Sequence, residues 1–95
     1  MAKSIIQDKN CCWVCGSFGD LHTHHIYYGA KNRKTSDKNG FTVKLCGYHH
    51  NMSNKGVHFN KVLDLNLKQV CQQEYERQGH TREEFVALVG RNYLE

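Results

Sequence analysis

Two short pairs of metal-binding residue types constrain this chain more than anything else in it. Cys12-Trp13-Val14-Cys15 is a CxxC followed at once by Gly16, and Cys46-Gly47-Tyr48-His49 is a CxxH further along. Two ligands three positions apart on a tight turn converge on one ion, so each pair forms one knuckle. Two knuckles complete a tetrahedral Cys₃His site, a closed structural zinc geometry. Thiolates suit Zn²⁺, which is borderline soft and has no redox chemistry of its own. Four protein ligands leave no open position for water or substrate, so the expected role is structural, supplying folding energy. Cys11 adjoins Cys12 and can in principle substitute for it, although the spacing and the following glycine favour Cys12. Buried thiols or a CxxC redox motif are the alternative, but a thioredoxin-type site needs a βαβ context that this sequence lacks.

A chain of 95 residues, 39% of them apolar, is one domain's worth and short of core. Domains of this size usually need a staple such as a metal, a disulfide or a partner subunit. The opening Met-Ala-Lys-Ser lacks the apolar h-region of a signal peptide, and no run is apolar enough to span a membrane. A cytoplasmic, reducing setting is therefore expected, where clustered cysteines bind metal more often than they pair. Five cysteines also cannot all pair within one chain.

The net charge is +4 with histidines neutral, which permits a phosphate-bearing partner. Lys31, Arg33, Lys34, Lys38 and Lys44 cluster with one acid, Asp37, whereas most acids fall in the C-terminal third.

The expected fold is a small α+β unit, residues 1–95, with knuckles and strands over 12–60 and a helical scaffold over 61–95. Residues 1–10 read as a polar lead-in and 11–20 as a tight turn. Leu21 to Tyr28 reads as a strand, and glycine-bracketed 29–40 as a solvated loop. Phe41 to Leu45 alternates as a second strand, and a short helical segment follows from Cys46 to near Gly56. Apolar residues at 62, 63, 65, 67, 70, 71 and 75 recur close to every 3.6 residues, predicting a helix over 60–78 with Gly79 at its C-cap. Thr81 to Glu84 matches a capping box before a last helix closing at Gly90. Cys71 falls on the apolar side of the long helix, as a core residue.

The chain holds seven histidines. Apart from His49, four lie beside the knuckle elements: His24 and His25 on the first strand, His50 after the second knuckle, and His58 after Gly56-Val57. Strand neighbours point to opposite faces, so His24 and His25 can serve one site only near a strand end or a twist. One divalent ion held by two or three side chains, plus one unbound histidine to take a proton from water, is what metal-assisted phosphodiester hydrolysis requires.

The series CxxCG, LHxHHI, a basic loop, LCxxHHN and GVHFN resembles the zinc-bearing HNH nucleases often found in phages, over residues 12–60. The resemblance implies a ββα-metal fold, a hairpin and helix gripping one catalytic divalent ion, with C-terminal helices added. It implies His25 as general base and His24, His50 and His58 as ligands of the catalytic ion. Asn54, one turn after His50, is the alternative ligand. It implies DNA as substrate, with sequence-neutral phosphate contacts from Lys31, Arg33, Lys34 and Lys38. Mg²⁺ or another divalent cation would act beside the structural Zn²⁺, since histidine-rich sites accept several metals. A phage-encoded chain would work in the cytoplasm of a bacterial host, as a homodimer or beside a recombination or packaging partner.

The sequence departs from that family where an asparagine normally precedes the second knuckle and orients the base. That position is Phe41, and Asn39 lies two residues earlier. His22 shares a strand face with His24, as a ligand, a phosphate contact or a bystander, and His80 reads as surface. The rival function is a non-catalytic zinc-knuckle module that binds nucleic acid or protein, for which Cys12, Cys15, Cys46 and His49 suffice.

Overall fold

The computed structural model describes residues 3–50 and 56–94. Its elements run β1 (Leu21–His25), α1 (Ala30–Asn39), β2 (Thr42–Cys46), α2 (Gly47–His50), a 3-10 turn (Val57–Phe59), α3 (Lys61–Arg77) and α4 (Arg82–Val89). β1 and β2 form one antiparallel pair, with His22 opposite Leu45, His24 opposite Val43 and His25 opposite Thr42. This register puts His22 and His24 on the face of buried Val43 and Leu45, and His25 on the other face with Thr23 and Lys44.

The segment 29–40, expected to be a solvated loop, is instead helix α1. Its sequence carries no apolar stripe because polar side chains attach it to the body. Ser36 is fully buried, and its hydroxyl donates to the Tyr27 carbonyl at 2.6 Å and accepts from the Tyr27 amide at 3.1 Å. Asn32 Nδ2 donates to the Val89 carbonyl at the end of α4, at 3.0 Å. The bracketing glycines act as helix ends; Gly40 is left-handed (φ 76°) and its amide bonds to Ser36. β1 also stops earlier than expected, because Ile26 and Tyr27 turn into the core under that serine clamp.

Residues 3–10 are likewise more than a polar lead-in. The Ile5 amide donates to the Gly40 carbonyl at 2.9 Å, and Gln7 Oε1 accepts from the Lys44 amide at 2.7 Å. The Trp13 amide takes the Lys44 carbonyl at 2.8 Å, so the outer edge of β2 is paired on both groups.

The core is aromatic. Tyr27 lies edge-on to Phe41 and Phe85, with ring centres 5.4 and 5.3 Å away, and Phe41 meets Tyr75 at 5.5 Å. On α3, Leu67, Cys71 and Tyr75 form the buried stripe at four-residue spacing, while Val62 and Leu65 stay exposed. Burial pushes the Cys71 thiol up to about 12, as befits an inert core residue. Asn60 caps α3 by accepting from the Val62 and Leu63 amides, and the Thr81–Glu84 capping box opens α4 as expected. His80 is exposed, as expected, and stacks on Tyr75 with ring centres 4.1 Å apart. No helix among the described residues is long and apolar enough to cross a membrane.

Gly40 joins α1 to β2 with a positive φ, and a Cβ there would collide with the Lys3 carbonyl. Gly40→Ala is expected to destabilise the fold by about 1–3 kcal/mol, read as a lower urea midpoint.

Candidate metal centres and the adjoining histidine

The turn carrying the first knuckle is closed by its own backbone. The Cys12 amide donates to Ser17 and its carbonyl accepts from Gly16, both at 2.8 Å, with Gly16 at φ 77°. The second knuckle begins at the last residue of β2 and continues into α2. Cys15 Sγ lies 3.8 Å from Cys46 Sγ, and His49 Nδ1 lies 3.4 Å from Cys46 Sγ and 3.8 Å from Cys12 Sγ. Tetrahedral zinc with ordinary bond lengths places sulfur pairs about 3.8 Å apart and sulfur–nitrogen pairs about 3.6 Å apart. The four sequence-predicted ligands therefore stand at zinc-ligand separations and can hold that ion. Burial would raise the Cys12 thiol, but the backbone amides of Cys46, Cys15 and Val14 outweigh it and bring it down to about 6. That favours the thiolate a metal needs. Cys11 stands outside the cluster.

A second group gathers around the inner face of β1. His24 comes from that strand, His50 from α2 and His58 from the 3-10 turn, and their ligand nitrogens all fall within 4.8 Å of one another. His50 Nε2 and His58 Nε2 are 3.1 Å apart. His24 is buried, and its Nε2 has no hydrogen-bond partner among the described residues. Burial first, then His58 and His50, pull His24 down to about 3, so it stays a neutral imidazole. An orphaned buried polar atom costs about 1–3 kcal/mol. A cation between the three rings removes that cost, so the residues present fit a bound divalent ion. Asn54 lies outside the described residues.

His25 points the other way, toward α1. Its Nε2 is 3.4 Å from Asp37 Oδ1, long for a hydrogen bond, and its side chain is 17% exposed. Being the last residue of β1, it nevertheless lines one cleft of about 220 Å³ with Thr23, His24, Arg33, His50 and His58. Both adjacent histidines thus reach one opening, as the end of a strand allows. Ala30, Arg33, Lys34 and Asp37 share the α1 face beside His25. Lys31 and Lys38 are roughly a quarter-turn round that helix, continuing the basic flank.

The missing asparagine has a structural account. Phe41 is fully buried in the aromatic core, and Asn39 donates through Nδ2 to the Thr35 carbonyl at 2.8 Å, finishing α1. Neither faces His25; Asp37 does. The sequence carried a signal for it, since Asp37 is the sole acid in the basic run and stands one turn from Arg33, but only once that run is known to be helical. Tyr28 also lines the cleft. Its ring borders His24 and His58 at 6.1 and 5.8 Å, beneath Lys68 Nζ at 4.3 Å.

Thiol chemistry reports on the first cluster directly. In zinc-loaded protein one thiol, Cys11, should react quickly with DTNB, because Cys71 is buried and the other three are ligands. Adding a chelator should release at least three more and abolish cooperative unfolding, measured by absorbance and circular dichroism. No protein-family model, curated protein or solved structure matches this chain, so its two clusters are interpreted from their own geometry.

Proposed function

We propose that this protein is a metal-dependent DNA endonuclease of the HNH type, with a ββα-metal core formed by β1, β2 and α2. The supporting observation is the pairing, in one cleft, of a three-histidine cluster with a fourth histidine kept out of it and backed by a carboxylate. A non-catalytic zinc-knuckle module has no use for that arrangement, and it would leave the buried His24 Nε2 unpaired at a cost of about 1–3 kcal/mol.

His24, His50 and His58 would hold the catalytic ion. When bound, a divalent ion there supplies Lewis-acid polarisation of the scissile phosphate and stabilises the departing 3′-oxygen. An ionised carboxylate accepts hydrogen bonds only, so Asp37, once its 3.4 Å approach closes in the substrate complex, would hold His25 as the Nε2–H tautomer. The Nδ1 lone pair is then free to take a proton from the attacking water. Arg33, at the mouth, and Lys34, Lys31 and Lys38, along α1, receive the DNA backbone through charge, positioning it without reading bases. Imidazoles suit Zn²⁺ and Ni²⁺ better than Mg²⁺, so the donor set narrows the choice of ion that sequence had left open.

Supercoiled plasmid incubated with the zinc-loaded protein and Ni²⁺ should be nicked, faster than with equimolar Mg²⁺, and EDTA should stop the reaction. His25→Ala should slow cleavage about 10²- to 10⁴-fold. Asp37→Asn should slow it about 100-fold, through loss of tautomer and alignment. Intact plasmid under every ion, with folding verified, overturns the nuclease; cleavage unchanged in His25→Ala overturns the base.

A further inference from the structure

His22 belongs to neither metal cluster, yet both of its ring nitrogens are engaged. Its Nε2 lies 3.1 Å from Asp20 Oδ1, and its Nδ1 lies 2.9 Å from His50 Nδ1. The far nitrogen of His50, Nε2, then faces His58 Nε2 at 3.1 Å. An unbroken line runs Asp20–His22–His50 into the three-histidine cluster.

Proton positions along this line follow from donor and acceptor capacity. The Asp20 carboxylate only accepts, so the hydrogen between it and His22 sits on Nε2 of His22. A neutral imidazole with one nitrogen protonated offers the other as an acceptor, so Nδ1 of His22 accepts. Nδ1 of His50 must therefore donate, which leaves Nε2 of His50 as a bare lone pair aimed into the cluster. The opposite tautomer would point a hydrogen at the ion and abolish ligation.

We infer that Asp20 and His22 form a positioning relay that fixes His50 in its ligating tautomer; this rests on the reading that His24, His50 and His58 hold a divalent ion. His22 is thereby a positioning residue rather than a fourth ligand. Carboxylate–histidine pairs behind metal-binding imidazoles act in this way, and losing such a partner weakens metal binding about 10- to 100-fold. The backbone reinforces the relay. Asp20 sits at φ 51°, and its carbonyl accepts from the Gly47 amide at 3.1 Å, tying the residue to the first turn of the helix that bears His50.

Two measurements on the zinc-loaded full chain test the relay. Long-range ¹H–¹⁵N spectra at slightly alkaline pH, before further metal is added, should show His50 protonated at Nδ1; in His22→Ala the two tautomers should mix. Calorimetric titration with Ni²⁺ should show affinity falling about 10- to 100-fold in His22→Ala and, in the same direction, in Asp20→Asn. His22→Asn places an acceptor oxygen near where the imidazole placed Nδ1, and should recover most of the loss. DTNB-reactive thiols should match wild type in all three variants, showing that the Cys₃His knot is intact.

His50 protonated at Nε2 in the wild type overturns the relay. So does Ni²⁺ affinity unchanged in His22→Ala, or lost as fully as in His24→Ala with no recovery in His22→Asn, which would make His22 a ligand. The two readings fail separately. A His50 of the assigned tautomer with relay-dependent Ni²⁺ affinity, but no plasmid cleavage, upholds the relay and overturns the nuclease.

Discussion

Four ligand atoms from two turns, brought within 4.8 Å, join the start of the fold to the end of its sheet. The second turn contains α2, four residues long, too short to hold its shape as an isolated helix. Convergence of His49 with Cys12, Cys15 and Cys46 fixes that helix in place. His50 is the next residue, about 100° further round the helix axis. The Cys₃His cluster and the three-histidine cluster are thus coupled through one peptide bond, and loosening the first displaces a histidine of the second.

The strand register is the other constraint. A slip of one residue between β1 and β2 would exchange the faces of His24 and His25, sending the cluster histidine toward α1 and its neighbour into the core. Two strands alone give weak protection against such a slip. The added contacts fall where they matter: Gln7 and Trp13 take both outward backbone groups of Lys44, and the Ile26 amide extends the pairing to Phe41.

Legibility in the sequence followed the kind of force involved. Ligand spacing announced the Cys₃His cluster because coordination geometry dictates separation along a turn. Apolar periodicity and cap chemistry announced α3 and α4, down to Thr81 and Gly90, although Asn60 caps α3 rather than belonging to it. Helix α1 was illegible because Ser36 and Asn32 bind it through hydrogen bonds, which leave no periodic apolar mark. The lead-in was misread for the same reason: Ile5 and Ile6 pack in a mostly polar stretch, and the anchoring bonds are to backbone groups. Misreading α1 as a loop also hid Asp37, whose approach to His25 requires a helix.

Phe41 stands where the HNH resemblance implies an asparagine. The core uses Phe41 as the aromatic joining Tyr27, Tyr75 and Phe85, so this position cannot also supply a polar group to His25. Helix α1 supplies one from the opposite side, the carboxylate of Asp37. An amide can both donate and accept, whereas a carboxylate only accepts and so dictates where the imidazole carries its hydrogen. Asp20 does the same for His22 on the other face of β1. In both pairs a carboxylate oxygen faces Nε2, at 3.4 Å from His25 and 3.1 Å from His22, and Nδ1 of His22 faces His50. One strand therefore presents two carboxylate-backed imidazoles to opposite faces, His25 toward Asp37 of α1 and His22 toward His50.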